Sequence, residues 1–377
     1  MTKHPIEFGW HLPTSGDGKY AGVKPEREGT LDYLTEVAQA AETAGFEFVL
    51  IPTGGPCTDA WIAGAAIAAR TSTLKPLVAM RPGLIAPVLA ARMGASLDYL
   101  SGGRALINIV TGGNPDDLKA TGDPLYDDHD GRYARTLEFV DIVKKVWTGG
   151  DEAGVQAKGR YYEIEGGRSQ PAPIQRPHPP IYFGGSSASA RRVAAQIADV
   201  YLMWAEPVDM IKEQIAGMEA QLGQLEEQTG VRRTLRYGLR AQLVVRPTEE
   251  EAWRAAWDII SLAEGNTQAK ESSLATQSRL DARNQQRQTD LWRQSEADDY
   301  VIGPNLWAGI SRYRTGGSVA IVGTPEQVAD RIAEYVEVGI SSFIFSGYPH
   351  LEEAQIAGRL LMPLLKAKTA ERQIGAL

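Results

Sequence analysis

Two segments of the chain place glycine next to small hydrogen-bonding residues directly after an apolar run. In PIYFGGSS, residues 180–187, the glycines and serines precede a stretch with helical spacing. Backbone N–H groups at a helix N-terminus bind phosphate well, and glycine lets an anion approach the backbone closely. A tight turn between a strand and a helix would use the same glycines, so that alternative stays open. The candidate phosphate-binding residues are Gly184, Gly185, Ser186 and Ser187.

The second segment, ALINIVTGGN at residues 105–114, ends in an amide and a hydroxyl beside two glycines. Asn108 and Thr111 could contact a ligand where this run ends. Equally, Asn and Thr side chains often satisfy local backbone groups instead.

Arginine and histidine stand near the ends of other apolar runs. Arg240 and Gln242 share one face of a predicted strand, because residues two apart in a strand point the same way. An unpaired buried guanidinium is very costly, so Arg240 must face solvent or meet an anion. Arg314 lies in the loop RYRTGG, and Tyr348 and His350 follow the last apolar run. These residues could bind an anion and transfer protons; His350 could also be a surface or supporting histidine.

The one cysteine, Cys57, follows an apolar run in IPTGGPCTDAW. We interpret it as small apolar filler or a minor contact rather than a nucleophile, since no His and carboxylate partner is evident nearby. The sequence contains no HExxH, P-loop, GxSxG or metal-ligand spacing. We therefore predict no metal site and expect an organic cofactor to carry the reaction.

Composition excludes several classes of protein. Of the 377 residues, 43% are hydrophobic and 23% charged, which excludes disorder as the main state. A net charge of −8 provides no global attraction for nucleic acid or anionic lipid. One cysteine excludes an internal disulfide framework. Because no signal peptide or membrane-spanning stretch is evident, we expect a cytoplasmic protein that binds neither nucleic acid nor membrane.

The elements that must position these residues alternate between apolar runs and segments with helical spacing. Such alternation is typical of βα units around a parallel sheet. Helix signals are clear in places: Thr324, Pro325 and Gln327 form a capping signature. The candidate strands are residues 6–10, 48–51, 77–80, 105–110, 181–183, 200–204, 237–245 and 342–345.

Eight such runs predict an α/β fold of the TIM (β/α)₈ barrel type, as a single domain over residues 1–377. A two-domain α/β enzyme is the alternative. Residues 111–180 and the polar stretch 264–299 exceed the minimal barrel and follow the fourth and seventh strands, so we expect both insertions at the C-terminal rim. We predict that residues 264–299 form a mobile lid; a surface loop without a role is the alternative.

Several long motifs, in order along residues 8–365, resemble the bacterial-luciferase-like flavin monooxygenases, and within them the two-component alkanesulfonate monooxygenases. The motifs that carry the resemblance are LPT with GDG (12–18), IPTG with Cys57 and DAW (51–61), RAL (104–106), PPIYFGGSS (179–187), PNLWAG (304–309) and SGYPHLEEA (346–354).

The resemblance implies a TIM barrel that takes FMNH2 from a separate NAD(P)H-dependent flavin reductase. With O2, such an enzyme oxygenates the carbon bearing a sulfonate and yields an aldehyde plus sulfite. A homo-oligomer, dimer or tetramer, is also implied. The protein then supplies position, charge and exclusion of water.

The resemblance also implies roles for individual residues. The catalytic set is Arg240, Arg314, Tyr348 and His350; two guanidiniums suit a sulfonate because they are always charged. Substrate contacts fall to Arg240, Arg314, Gln242, His11, Trp204 and His350. Cofactor contacts fall to Cys57, Asn108, Thr111, Tyr133, Gly184, Gly185, Ser186 and Ser187.

Three residues depart from the alkanesulfonate pattern. Where those enzymes usually show Phe, His and His, this chain has His11, Ser15 and Gln242. A buried amide and imidazole are tolerated if substrate hydroxyls pair with them. The leading substrate hypothesis is therefore a hydroxylated sulfonate, with sulfoquinovose as the specific candidate.

Three other readings stay open. A simple alkanesulfonate monooxygenase is one. Another flavin- or deazaflavin-dependent oxidoreductase of the same fold, acting on sulfones, amines or nitrilotriacetate-like compounds, is the second. A non-catalytic flavin-binding protein is the third.

Overall fold

The computed structural model describes residues 4–149, 153–280 and 282–374, with side chains to residue 368. Apolar, β-branched runs form its strands, as their composition favours. Within these residues the strands are β1 (Glu7–His11), β2 (Phe48–Ile51), β3 (Lys75–Met80), β4 (Leu106–Ile109), β5 (Val155–Lys158), β6 (Glu163–Gly167), β7 (Ile181–Gly184), β8 (Val200–Trp204), β9 (Arg236–Val245), β10 (Val301–Gly303), β11 (Leu306–Trp307), β12 (Ala320–Gly323) and β13 (Ile340–Ser346).

Eight of these strands close into a parallel barrel in the order β1, β2, β3, β4, β7, β8, β9 and β13. The barrel closes where β13 pairs with β1, with Phe8 opposite Phe343. Each of the eight predicted runs coincides with one barrel strand. The TIM barrel predicted from the sequence is therefore confirmed.

Helices surround the barrel, and several of them pack a buried face against its strands. Within the same residues they are α1 (Leu31–Ala44), α2 (Ala60–Arg70), α3 (Pro87–Leu100), α4 (Pro115–Ala120), α5 (His129–Thr148), α6 (Ala188–Ile197), α7 (Val208–Thr229), α8 (Glu249–Glu264), α9 (Thr267–Arg279), α10 (Arg283–Gln294), α11 (Pro325–Glu337), α12 (His350–Leu360) and α13 (Met362–Ile374). Two short 3₁₀ helices span Glu296–Asp298 and Gly309–Arg312.

Local signals explain where the helices begin and end. The Thr324 hydroxyl accepts from the Gln327 N–H while the Gln327 side chain accepts from the Thr324 N–H, so the predicted capping box starts α11. Val328 and Ile332 on the same helix are buried. The capping box and the buried apolar face together position α11, the helix that leads into β13.

Strand β9 has a third parallel neighbour, β12, which was not predicted from the sequence. Gln242 N–H donates to Val319 O at 2.9 Å, and Ala205 N–H donates to Arg240 O at 2.8 Å. Residues two apart in a strand present their backbone groups to the same edge. Strands β8 and β12 therefore pair with the same edge of β9. Strand β8 pairs with the N-terminal half of β9, and β12 pairs with its C-terminal half.

The two insertions lie where the sequence analysis placed them. Residues 111–180 follow β4 and contain α4, α5 and the β5–β6 hairpin. Residues 264–299, which we call the lid, follow the seventh barrel strand and contain α9 and α10. The mobility of the lid stays a prediction. Within the described ranges, none of the helices combines the length and apolar character needed to cross a membrane.

Candidate active site

A cavity of about 370 Å³ opens at the C-terminal ends of the barrel strands. Active sites of TIM barrels are built at this end, from the loops that follow the strands. The predicted residues that line the cavity are Asn108, Thr111, Tyr133, Gly184, Gly185, Ser186, Ser187, Trp204 and Arg240. The cavity thus brings together the predicted phosphate loop and one of the two predicted arginines.

The predicted phosphate-binding residues form one end of the cavity, at the turn from β7 into α6. The Ser187 hydroxyl caps α6 by accepting from the Ala190 N–H at 3.1 Å. Gly185 has φ 136°, and a Cβ there would lie 2.8 Å from the Ala190 Cβ and 3.2 Å from the Tyr133 hydroxyl oxygen. The Ser186 hydroxyl is buried and has no hydrogen-bond partner among the residues that the structure describes. An unfilled buried donor beside a helix N-terminus suits a phosphate.

The side wall of this end is made of strand β4 and helix α5. Thr111 lies 3.3 Å from Thr136, hydroxyl oxygen to hydroxyl oxygen, and Asn108 lines the cavity from β4. The rings of Tyr133 and His129 lie 4.9 Å apart between centroids. His129 also lines the cavity and was missed from the sequence, because nothing in its local pattern separated it from a surface histidine at a helix start.

Arg240 projects from β9 into the same cavity. Its Nε and Nη2 atoms are buried, and within the described part of the chain they have no hydrogen-bond partner. Burial and the charge of Arg314 lower the pKa of Arg240 to about 9. A guanidinium held this way is a ready site for an anion, because an anion would satisfy both the charge and the open donors.

Arg314 approaches Arg240 around the backbone of Gly316. A Cβ built on Gly316 would lie 3.7 Å from the Arg314 Nη1 and 4.0 Å from the Arg240 Nη1. Arg314 does not line the main cavity; it lines a neighbouring polar cavity of about 510 Å³ with Lys24 and Thr276. The predicted arginine pair is therefore close in space and stands between two cavities.

Gln242 sits beside this pair, but its amide is already engaged. Its Oε1 accepts from the Ser346 hydroxyl at 2.8 Å, and its Nε2 donates to Gly317 O at 3.3 Å. Ser346 ends β13 and Gly317 precedes β12. Gln242 thus links the two strands that flank β9, and one N–H of the amide remains for a ligand.

His11, Tyr348 and His350 form an aromatic cluster next to the arginines. Ring centroids lie 5.3 Å apart for His11 and His350, and 5.7 Å apart for Tyr348 and His350. Burial, followed by the charges of Arg240, His350 and Arg314, holds the pKa of His11 well below its usual value. Burial raises the pKa of Tyr348. Near neutral pH His11 and Tyr348 are therefore uncharged.

Two imidazole nitrogens in this cluster have unused hydrogen-bonding capacity. The His11 Nδ1 and the His350 Nε2 are buried, and neither finds a partner within residues 4–149, 153–280 and 282–374. The other nitrogen of His350 is held by Asp17: Nδ1 lies 2.8 Å from the Asp17 Oδ1. Asp17 lies in the GDG motif, and no role was predicted for it from the sequence.

The two remaining predicted residues take different positions. Trp204 ends β8 and lines the main cavity, where a Cβ on Gly317 would lie 3.1 Å from its ring. Cys57 is half-buried, does not line that cavity, and has its pKa raised by burial. The charge of Arg314 acts on Cys57, so the thiol lies toward the arginine side of the site.

The lid packs over the arginine side. Arg287 of α10 donates from Nε to the Glu206 Oε1 at 2.7 Å, and Gln288 donates from Nε2 to Ala205 O at 3.0 Å. Gln285 accepts from the Gly316 N–H at 3.0 Å. Residues that line the main cavity from the lid are Ala282, Arg283 and Asn284. Helix α10 therefore closes the mouth between β8 and the Arg314 loop.

Comparisons with known proteins agree with this architecture. A model of the family described as luciferase-like monooxygenase matches residues 6–342. Riboflavin lyase, solved with modified FMN and riboflavin, superposes with a TM-score of 0.78 at 23% identity over 97% of this chain and 92% of its own. EDTA monooxygenase from Chelativorans sp. BNC1 gives 0.75 at 19% identity over 97% and 94%. Long-chain alkane monooxygenase gives 0.76 at 21% identity over 98% and 92%.

Proposed function

Because the chain belongs to the luciferase-like monooxygenase family, we propose that it is an FMNH2- and O2-dependent monooxygenase of organosulfonates, releasing sulfite and leaving an aldehyde. One observation carries the sulfonate assignment. Arg240 is a buried guanidinium with unused donors, set beside a second guanidinium, Arg314. A sulfonate is an anion at any ordinary pH, and fixed guanidiniums match its oxygens as donors.

The flavin would be held by the main cavity. Gly184, Gly185, Ser186 and Ser187 would hold its phosphate, and Asn108, Thr111 and Tyr133 would line its path, with Cys57 toward the arginine side. The unfilled Ser186 hydroxyl and the close approach allowed at Gly185 support this fit. When bound in its reduced form, the flavin supplies the activation of O2 that no side chain can supply.

The protein's own residues have four tasks in this proposal. Arg240 and Arg314 bind and orient the sulfonate. His350 exchanges a proton at Nε2, the nitrogen that Asp17 leaves open. Tyr348, uncharged near neutral pH, contributes a hydroxyl beside it. The lid excludes water, which protects a reactive oxygen species from decay.

The polar side chains around the arginines support a hydroxylated sulfonate as substrate, with sulfoquinovose as the specific candidate. His11 carries a buried Nδ1 without a partner within the described ranges, and Gln242 retains one N–H. A buried polar atom left unpaired costs about 1–3 kcal/mol, which a substrate hydroxyl would recover. A plain alkanesulfonate offers no such partner.

Two further parts of the proposal rest on the resemblance to two-component flavin monooxygenases. Reduced FMN must come from a separate NAD(P)H-dependent flavin reductase. A homo-oligomer, dimer or tetramer, is the proposed assembly.

The decisive experiment is sulfite release with FMN, NADH or NADPH, a flavin reductase and O2. Sulfoquinovose and octanesulfonate are compared in parallel, with the variant Arg240→Met as the matched control. Release from sulfoquinovose that exceeds release from octanesulfonate, and that the variant loses, is the expected result. Preference for octanesulfonate would favour a simple alkanesulfonate monooxygenase. No sulfite from either compound, with FMN binding intact, would favour another flavin or deazaflavin oxidoreductase.

A further inference from the structure

The lid carries a buried side-chain amide. This amide contacts the backbone of Gly316, which lies close to the guanidiniums of both Arg240 and Arg314. Gln285, near the start of α10, is 1% exposed. Its Oε1 accepts from the Gly316 N–H at 3.0 Å. Its Nε2 is buried and has no hydrogen-bond partner in the part of the chain that the structure describes. An amide nitrogen with two unused donors in such a place calls for an acceptor.

The hydrogen bond made by the Gln285 Oε1 also determines where the Gln285 Nε2 lies. The Gln285 Oε1 lies against the Gly316 N–H, and Gly316 is the residue around which the Arg240 and Arg314 guanidiniums approach each other. Since Oε1 and Nε2 share one carbon, the donors of Gln285 belong to the same small region as those of Arg240. Arg240 is anchored in the barrel, Arg314 in the loop before β12, and Gln285 in the lid.

We propose that Gln285 is a third donor for the substrate's anionic group, and that the bound anion thereby holds the lid closed. The inference rests on the proposed anion site and extends it to a lid residue. A tetrahedral oxyanion would accept from the barrel guanidinium and from the lid amide together. Closure then depends on occupancy, since without an anion the Nε2 donors stay unpaired in the closed lid and penalise closure.

Two arginines on the lid report its opening. Arg279 and Arg283 are exposed and flank the connection between α9 and α10. Trypsin cleaves after arginine when the chain around it can unfold locally, so the cleavage rate follows the open fraction. The experiment uses the purified full-length protein with FMN, and adds sodium sulfate as the probe against sodium chloride at equal ionic strength.

Four variants separate the proposal from a merely structural role. Gln285→Leu removes the donors, and Gln285→Glu keeps an acceptor for the Gly316 N–H while placing a carboxylate beside the guanidiniums. The control pair is Gln286→Leu and Gln286→Glu, because Gln286 is the exposed neighbour on the same helix. Thermal unfolding of each variant checks that it is folded.

The expected pattern has three parts. Sulfate slows cleavage of the wild type and of both Gln286 variants. Sulfate does not protect Gln285→Leu. Gln285→Glu is slow to cleave even without sulfate, because its carboxylate pairs with the arginines and replaces the anion.

Turnover gives a second measurement. A hydrogen bond to a charged group contributes about 1.5–3 kcal/mol, so kcat/KM of Gln285→Leu for the sulfonate should fall about 10- to 100-fold with FMN affinity unchanged. Equal sulfate protection of the wild type and Gln285→Leu, or no protection of the wild type, overturns the inference. Normal sulfate protection without any sulfite release from sulfonates would instead reject the proposed function and leave the anion-coupled lid standing.

Discussion

Asp17 holds His350 through both of its carboxylate oxygens. Oδ1 lies 2.8 Å from the His350 Nδ1, and Oδ2 accepts from the His350 backbone N–H at 2.8 Å. Although burial opposes it, the charge and hydrogen bonds of His350 keep the pKa of Asp17 below its usual value. An ionised carboxylate only accepts, so the proton of a neutral His350 sits on Nδ1, and in the proposed function this leaves Nε2 for proton exchange with the substrate.

The first prediction concerns this pair. Asp17→Asn removes the charge and offers the His350 N–H groups an amide that can accept through one atom only. We expect sulfite turnover to fall at least about 10-fold, because loss of the partner that orients a functional histidine has effects of that size or larger. FMN affinity should not change.

The matched control lies at the outer end of the same hydrogen-bond network. Tyr33 donates to Asp17, Arg27 donates to Tyr33, and Arg27 pairs with the half-exposed Glu352. Glu352→Gln should retain turnover within about 2-fold, since exposed ion pairs contribute about 0–1 kcal/mol. Wild-type turnover in Asp17→Asn would show that Asp17 does not position His350 for the reaction.

The second prediction concerns stability against pH. Folding buries His11 in its neutral form and lowers its pKa well below the usual 6.5. Below pH 6.5 the unfolded chain therefore binds one more proton than the folded chain, and stability is lost as the pH falls. The loss is at most about 1.4 kcal/mol per pH unit.

His11→Phe removes the contribution of His11 to the pH dependence of stability. Between about pH 7.5 and pH 5.5, the free energy of unfolding of the variant should fall less than that of the wild type, as measured by chemical denaturation. Above that range the difference between the two proteins should be constant, because His11 is neutral in both states. Parallel curves throughout would mean that folding does not lower the pKa of His11.

The third prediction is that a substitution at Arg240 raises the stability of the protein but removes its function. Replacing a buried ion pair by apolar side chains of similar volume is often neutral or stabilises a protein by about 1–4 kcal/mol, and a buried charge without a partner is more costly to the fold than a pair. Arg240→Met should therefore raise the melting temperature of the substrate-free protein while abolishing sulfate protection of the lid. Arg246→Met is the control: Arg246 pairs with the buried Glu353, with 2.7 Å between Nη2 and Oε1, so its loss should lower the melting temperature. A lower melting temperature in Arg240→Met would show that Arg240 has a stabilising partner.

The fourth prediction concerns the phosphate loop. Gly185→Ala places a Cβ 2.8 Å from the Ala190 Cβ at a backbone φ of 136°. Such strain costs about 1–3 kcal/mol, and we expect a lower melting temperature and weaker FMN binding in fluorescence titrations. Gly230→Ala is the control, because Gly230 ends α7 at a φ of 71° and does not line the main cavity, so this variant should lower the melting temperature without changing FMN affinity. Equal FMN affinity in both variants would place the phosphate elsewhere.

The sequence predicted the barrel well because each barrel strand is an apolar run between helical segments. It did not predict β12, although Ala320–Gly323 is equally apolar. An apolar run of four residues does not indicate whether the strand closes the barrel or pairs with the C-terminal half of a long strand such as β9. That distinction depends on the register between β9 and β12, which is a tertiary property.

In the site, too, local features were predicted from the sequence and contacts between distant segments were not. The turn from β7 into α6 is a local feature, so PIYFGGSS was enough to predict a glycine-containing turn at a helix N-terminus. The Asp17–His350 pair joins residues 333 positions apart, and the motif that contains Asp17 gives no local reason to expect it. Gln242 was predicted as a substrate contact from its face of β9, but its bonds to Ser346 and Gly317 arise from segments that meet only in the folded protein.

The lid lies in the chain between the seventh and eighth barrel strands. A cut after Arg279 or Arg283 would leave β1 to β9 on one piece and β12 and β13 on the other. Because β13 pairs with both β9 and β1, neither piece can close the barrel alone. The nicked protein should therefore behave as a complemented pair of fragments, separating on a denaturing gel but eluting as one particle under native conditions.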